Sequence, residues 1–327
     1  MAECRHTGFT LGGFAEQAYM TIVYLIVAAV LALVAFDRFA PATATRWGLG
    51  LDRWRSGLRE HSATIPGFTM PYLEGGQGEA LILIHGFGGD KDNFTRVSRF
   101  LTPHYRVICP DLPGFGDATR DASARYGIAD QVAHLHAFLG QLKLERVHLG
   151  GSSMGGFIVA QFAATYPDMV ASLWLLDAAG TAAANATEVF TKYQATGEMP
   201  LLVRTEADFP GLIDAAMHKK PFLPHSLRTT LARRAVADYE LHRQILVQFA
   251  GDSPPLEAQF KTLSTPALIV WGTEDRILNP AGAETLRTLF PNSDVKLMTG
   301  IGHLPTMESP AATALDYLEF RRSRSRA

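Results

Sequence analysis

At 327 residues, the chain sets 30 Lys and Arg against 32 Asp and Glu, a formal net charge of −2. A balance so close to zero excludes the basic surface that nucleic-acid partners select. Less the first sixty residues or so, the length leaves one large globular domain with a well-buried core.

Residues 1–16 form a short N-terminal segment. Gln17 to Phe36 then contains no charged residue and is rich in Val, Leu, Ile and Ala. Twenty helical residues span ~30 Å, the thickness of a hydrocarbon core, so 17–37 reads as a transmembrane anchor. A cleaved signal peptide fits less well, because its apolar stretch is usually ~7–15 residues and is preceded by basic residues. Ala42-Thr43-Ala44 keeps a cleavage site open.

Residues 38–63 follow as an amphipathic linker helix. Trp47, Leu51, Trp54 and Leu58 fall on one helical face, with Arg46, Arg53, Arg55 and Arg59 among them. Trp and Arg beside an apolar span suit a membrane interface; packing against the catalytic domain is the other reading, and Gly48 and Gly50 weaken the helix. Basic residues are denser after the span than before it, which places the C-terminal domain in the cytoplasm by the positive-inside rule. Cys4 and Cys109 lie on opposite sides of the inserted span and cannot pair within one chain.

From Ala80 to Asp177, and again from Ala267 to Phe320, apolar strand-like runs alternate with helical ones. This predicts an α/β fold, a doubly wound, mostly parallel sheet, built from 64–179 and 265–320. Residues 180–264 break the alternation and read as several helices with prolines at their joints, forming a cap. Arg321 to Arg326 make a short basic tail, 321–327.

The chemistry concentrates at strand ends. Leu81 to Ile84 leads into His85-Gly86-Phe87-Gly88-Gly89. Val147-His148-Leu149 leads into Gly151-Ser152-Ser153-Met154-Gly155, and a helix follows. A G-x-S-x-G run between strand and helix is the context of a nucleophile elbow, and Ser153 is the serine with glycines two before and two after. A serine hydroxyl needs a base, and the base needs an orienting acid. Asp275 in Gly272-Thr273-Glu274-Asp275 and His303 in Gly300-Ile301-Gly302-His303 each follow a strand, in the order Ser, Asp, His. Glu274 and Asp177 are rival acids. His85 reads as a structural brace, and Asp111 in the turn after the fourth strand as structural. The backbone N–H groups of Phe87 and Met154 are the expected oxyanion donors. His134 and His136, two apart on a predicted helix over 128–142, point to different faces and make no metal pair; neither metal nor cofactor is implied.

Together the His85–Gly89 loop, Asp111-Leu112-Pro113-Gly114-Phe115-Gly116, Gly151 to Gly156, Trp271 to Asp275 and Gly302-His303 resemble the α/β-hydrolase superfamily over about residues 64–320. The likeness is to membrane-anchored lipases and esterases typified by monoacylglycerol lipases with one N-terminal span, a bacterial branch of which is linked to phospholipase A activity. That resemblance implies Ser153, Asp275 and His303 as nucleophile, acid and base, Phe87 and Met154 at the oxyanion, and a lipid ester as substrate beside the bilayer. It also allows a periplasmic domain; separately, the span itself would let two anchored copies pair. A carbon–carbon bond hydrolase of ring-cleavage products and a ligand receptor share the same fold and triad, and stay open at this stage.

Overall fold

The computed structural model describes residues 11–251 and 253–324. Eight strands, β1 Leu58–Ile65, β2 Phe68–Gly75, β3 Ala80–Ile84, β4 Arg106–Pro110, β5 Val147–Ser152, β6 Val170–Leu176, β7 Ala267–Gly272 and β8 Ser293–Met298, form one sheet. Its order is β1-β2-β4-β3-β5-β6-β7-β8. β1 and β2 are antiparallel to each other, β2 is antiparallel to β4, and every other pair is parallel. The helices are α1 Leu11–Phe39, α2 Pro41–Arg55, α3 Thr95–Leu101, α4 Ile128–Gln141, α5 Met154–Thr165, α6 Glu188–Thr196, α7 Phe209–Ala216, α8 His225–Ala237, α9 Tyr239–Gly251, α10 Leu256–Gln259, α11 Gly282–Leu289, α12 Pro305–Glu308 and α13 Pro310–Arg324.

The parallel strands are apolar throughout because both faces of the sheet are covered. Ile82, Ile84, Leu173 and Leu175 pack beneath α4, α5 and α11. Their alternates Leu81, Leu83, Trp174 and Leu176 pack on the other face against α3 and α13, as the two-residue period of a strand requires. A small separate cluster of Val203, Phe209 and Ala232 holds the cap together.

α1 contains a 24-residue stretch, Glu16–Phe39, apolar enough to cross a membrane, and none of its apolar window is covered by the rest of the molecule. Its far end is tied to the cap. Asp37 accepts from the backbone N–H groups of His225 (3.2 Å) and Ser226 (3.1 Å) at the start of α8. In this way it satisfies donors that a helix N-terminus leaves open.

Three expected boundaries move. The first helix already runs from Leu11, ahead of the expected 17. The linker helix does not reach 63. It ends at Arg55, Gly57 turns the chain at φ 67°, and β1 begins at Leu58. Leu58 therefore does not continue the Trp47–Trp54 face; it is buried in the sheet core. Gly48 and Gly50 do not break α2, since it packs along α8, where Thr45 and Thr230 meet hydroxyl to hydroxyl at 3.1 Å. The basic tail is not free from 321: α13 continues to Arg324, and Arg321 and Arg324 pair with Glu79 and Asp294.

α2 packs against the domain on one side and leaves two tryptophans uncovered. Arg53 docks inward with two bonds to Asp92 (2.8 and 2.6 Å) and one to Glu60 (2.6 Å). Trp47 and Trp54 stay 72% and 75% exposed. Cys109 is buried and free, and Cys4 lies outside the described residues.

Candidate active site

β5 and α5 meet at Ser153, whose φ of 55° and ψ of −119° lie where L-residues seldom go. Backbone bonds over-determine that turn. Ser153 N–H donates to Leu176 O (2.9 Å), and its carbonyl accepts from Gly156 (2.9 Å) and Ala179 (3.0 Å). The flanking glycines are required sterically. A Cβ on Gly155 would stand 2.2 Å from the Ile84 carbonyl oxygen, and one on Gly151 2.3 Å from that of Gly155. Strand and helix pass so closely that only hydrogen fits between them.

The loop after β3 faces this turn. His85 is fully buried, its Nδ1 bonded to Gly86 O (2.8 Å) and its Nε2 accepting from Leu112 N–H (3.1 Å). Burial pushes its pKa down, so the ring is neutral. It braces the loop, as its position suggested. The backbone N–H groups of Phe87 and Met154 have no hydrogen-bond partner among the described residues. Unpaired donors in a built site are rare, and here two sit beside one serine.

His303 follows β8. Its Nδ1 lies 2.8 Å from Asp275 Oδ2, and both side chains are buried. Trp271 Nε1 (3.1 Å) donates to the same oxygen, while the Ile277 and Leu278 N–H groups (2.8 and 3.0 Å) donate to Oδ1. Three N–H donors and the His303 ring nitrogen thus converge on one carboxylate. Of the rival acids, Glu274 is exposed on the loop surface. Asp177 is buried behind Asp275. Ser153 and His303 line one cavity without a mutual hydrogen bond among the described residues; in unliganded enzymes this contact commonly tightens only around substrate.

The cavity measures about 220 Å³. The Gly86–Gly89 loop, Ser153 and His303 form its polar end. Leu201, Phe209, Ile213, Leu223 and Leu227 of the cap form its apolar wall, and Leu49 and Asp52 of α2 reach its rim. Phe222 of the cap is instead 84% exposed.

Sequence reading missed Glu308. Its buried carboxylate accepts from the N–H groups of Gly302 (3.0 Å) and Leu304 (3.3 Å) on either side of His303. It also accepts from His218 (3.0 Å) and Lys219 (2.6 Å) of the cap. One side chain thereby holds the histidine turn and the cap together. No motif marks it, because all its partners are backbone groups, and two of them lie 90 and 89 residues upstream.

Behind the Phe87 loop, a buried ionic network fixes Asp111. Lys91, 1% exposed, donates to Asp111 Oδ2 (2.9 Å) and Asp117 (2.6 Å). Arg234 of α8 ties Asp90 (3.1 Å) and Asp117 to the cap. Burial, then the neighbouring Asp92 and Asp111, push Asp90 up to about 7. The unfolded chain ionises this group near 4, so stability falls as pH rises from about 4 to 7 and stays reduced above that. Asp90→Asn keeps the cap of the following turn and removes this loss. It should raise stability by about 1 kcal/mol at pH 8 and leave it unchanged near pH 4, read by denaturant unfolding at both pH values.

Comparison with known proteins shows the family. The family model described as alpha/beta hydrolase fold matches residues 79–310. Lipase 1 of Psychrobacter immobilis is 38% identical over 278 residues, covering 83% of this chain and 86% of its own length. The human monoacylglycerol lipase ABHD6 is 27% identical over 255 residues, covering 75% and 76%. Among solved structures, that of a membrane phospholipase A described as a novel bacterial virulence factor superposes with a TM-score of 0.85 at 37% identity. It covers 95% of this chain and 100% of its own. The elbow turn, the capped apolar cavity and this sheet agree with those matches: the chain belongs to the α/β-hydrolase family and is an ester-hydrolysing enzyme of its lipase group.

Proposed function

We propose that Ser153 is the nucleophile, His303 the base and Asp275 the orienting acid in hydrolysis of glycerolipid acyl esters. Asp275 holds the Nδ1–H of His303, leaving Nε2 free to take the Ser153 proton as Oγ attacks the acyl carbonyl. The carbonyl oxygen becomes an oxyanion between the Phe87 and Met154 N–H groups. His303 then returns the proton to the departing alcohol, and the acyl group stays on Ser153. Water activated by His303 releases the fatty acid. The observation that carries this reading is the Asp275–His303 pair joined to one cavity with Ser153 and two unpaired N–H groups.

The apolar cavity under the cap suits a fatty acyl chain, with the ester at the polar end. Monoacylglycerols, lysophospholipids and phospholipids are the substrates to expect, in line with what the relatives are named for. The uncovered helix α1 supports a single-pass anchor, with Trp47 and Trp54 at the headgroup level. Charge bias favours a cytoplasmic domain, and the bare helix is also a surface for a second copy of the chain. Incubating the detergent-purified protein with a mixed membrane-lipid extract, and reading the products by mass spectrometry, should show free fatty acid with its matching lysolipid or glycerol product. An unchanged extract would count against a lipid substrate.

A further inference from the structure

Asp177 comes directly after β6, and it is one of three non-glycine residues with positive φ among the described residues (44°). Its side chain is wholly buried. Oδ1 accepts from the Gly272 N–H (2.8 Å), whereas Oδ2 is buried without a donor. A carboxylate oxygen of Asp177, one of Asp275 and a ring nitrogen of His303 lie within 4.8 Å of one another. Two ionised carboxylates this close, away from water, repel strongly, so one of the pair must hold a proton. Three N–H donors and the His303 ring nitrogen face Asp275 and favour its ionised form. A single N–H faces Asp177, and its second oxygen is satisfied only if that oxygen carries a hydrogen.

We infer that Asp177 is a positioning residue: a neutral carboxylic acid that donates its Oδ2 hydrogen to the Asp275 carboxylate and fixes the ion that orients His303. This rests on the triad reading above. Burial first, then the charge of Asp275, and further off that of Glu308, push Asp177 well above the ordinary carboxylate range. The proton stays on Asp177 through turnover, and the only proton that moves passes between Ser153, His303 and the leaving alcohol. The bond also removes rotational freedom from Asp275 at its rear, where no backbone donor reaches.

The test has a spectroscopic and a kinetic arm, both on the full chain in detergent. Infrared difference spectra at neutral pH compare Ser153→Ala protein with the Ser153→Ala/Asp177→Asn double variant. The carbonyl stretch of a protonated carboxyl should be present in the first and absent from the second. Asp177→Asn, whose amide accepts from Gly272 and donates to Asp275, should keep kcat/KM within about threefold. Asp177→Leu, which cannot donate, should lower kcat about 30-fold with KM unchanged. If the leucine variant does not fold, the asparagine variant and the spectra decide. Absence of an Asp177-dependent band, or an Asp177→Asn enzyme as inactive as Asp275→Asn, overturns the inference and leaves the triad untouched. A fully active Ser153→Ala enzyme overturns the triad and leaves the band to stand or fall by itself.

Discussion

Ser153→Ala protein should hydrolyse p-nitrophenyl acyl esters about 10⁵-fold more slowly than wild type, a loss of roughly 7 kcal/mol of transition-state stabilisation. Without Oγ no acyl-enzyme forms, so the Phe87 and Met154 N–H groups can only polarise the carbonyl toward water. The residual rate, about 10³ above uncatalysed hydrolysis, measures what those donors and the cavity supply. The fold should persist. Ser153 makes its stabilising contacts through its own N–H and carbonyl, bonded to Leu176, Gly156 and Ala179, and alanine keeps all of these. An unchanged melting temperature with abolished turnover is the expected pair of readings. Wild-type activity in the variant would remove Ser153 from the chemistry.

Asp275→Asn should cost about 10⁴-fold in kcat, and the structure gives the reason. The Ile277 and Leu278 N–H groups aim at Oδ1, so the asparagine carbonyl turns to them and its NH₂ turns to where Oδ2 was. That NH₂ then meets His303 Nδ1 and the Trp271 indole N–H. A donor facing Nδ1 forces the hydrogen onto Nε2, the tautomer that cannot take the Ser153 proton. The indole N–H loses its acceptor as well, so a small drop in stability should accompany the kinetic loss. Steady-state kinetics over pH 6–9, with circular dichroism as a control on folding, checks this. A variant within tenfold of wild type would mean that another carboxylate orients the histidine.

The contrast between Asp275 and Asp177 shows where legibility ended. Both are aspartates just past a buried strand, and their local sequences do not separate their roles. Only the register of β6 beside β7 reveals that they meet, with His303 bonded to one and Gly272 N–H to the other. Glu308 is a second case. Its four backbone partners come from the histidine turn and from the cap, and the carboxylate has no signature because what it binds has no side-chain identity. The linker is a third. The helical period through Trp47, Leu51 and Trp54 was correct, yet it ran on to Leu58 until Gly57 turned the chain into β1.

What the sequence determined by itself is whatever a few consecutive residues encode. Steric demand wrote the glycines around Ser153, period-two apolarity wrote the buried parallel strands, and an uncharged run wrote the exposed helix α1. Chain order then matched Ser153, Asp275 and His303 to strand ends. The tertiary structure decided which carboxylate faces the histidine, which cap residues line the cavity, and how Asp37 joins α1 to α8. Those choices depend on side chains brought together from distant parts of the chain by the packing of both faces of one sheet, and no local pattern carries that information.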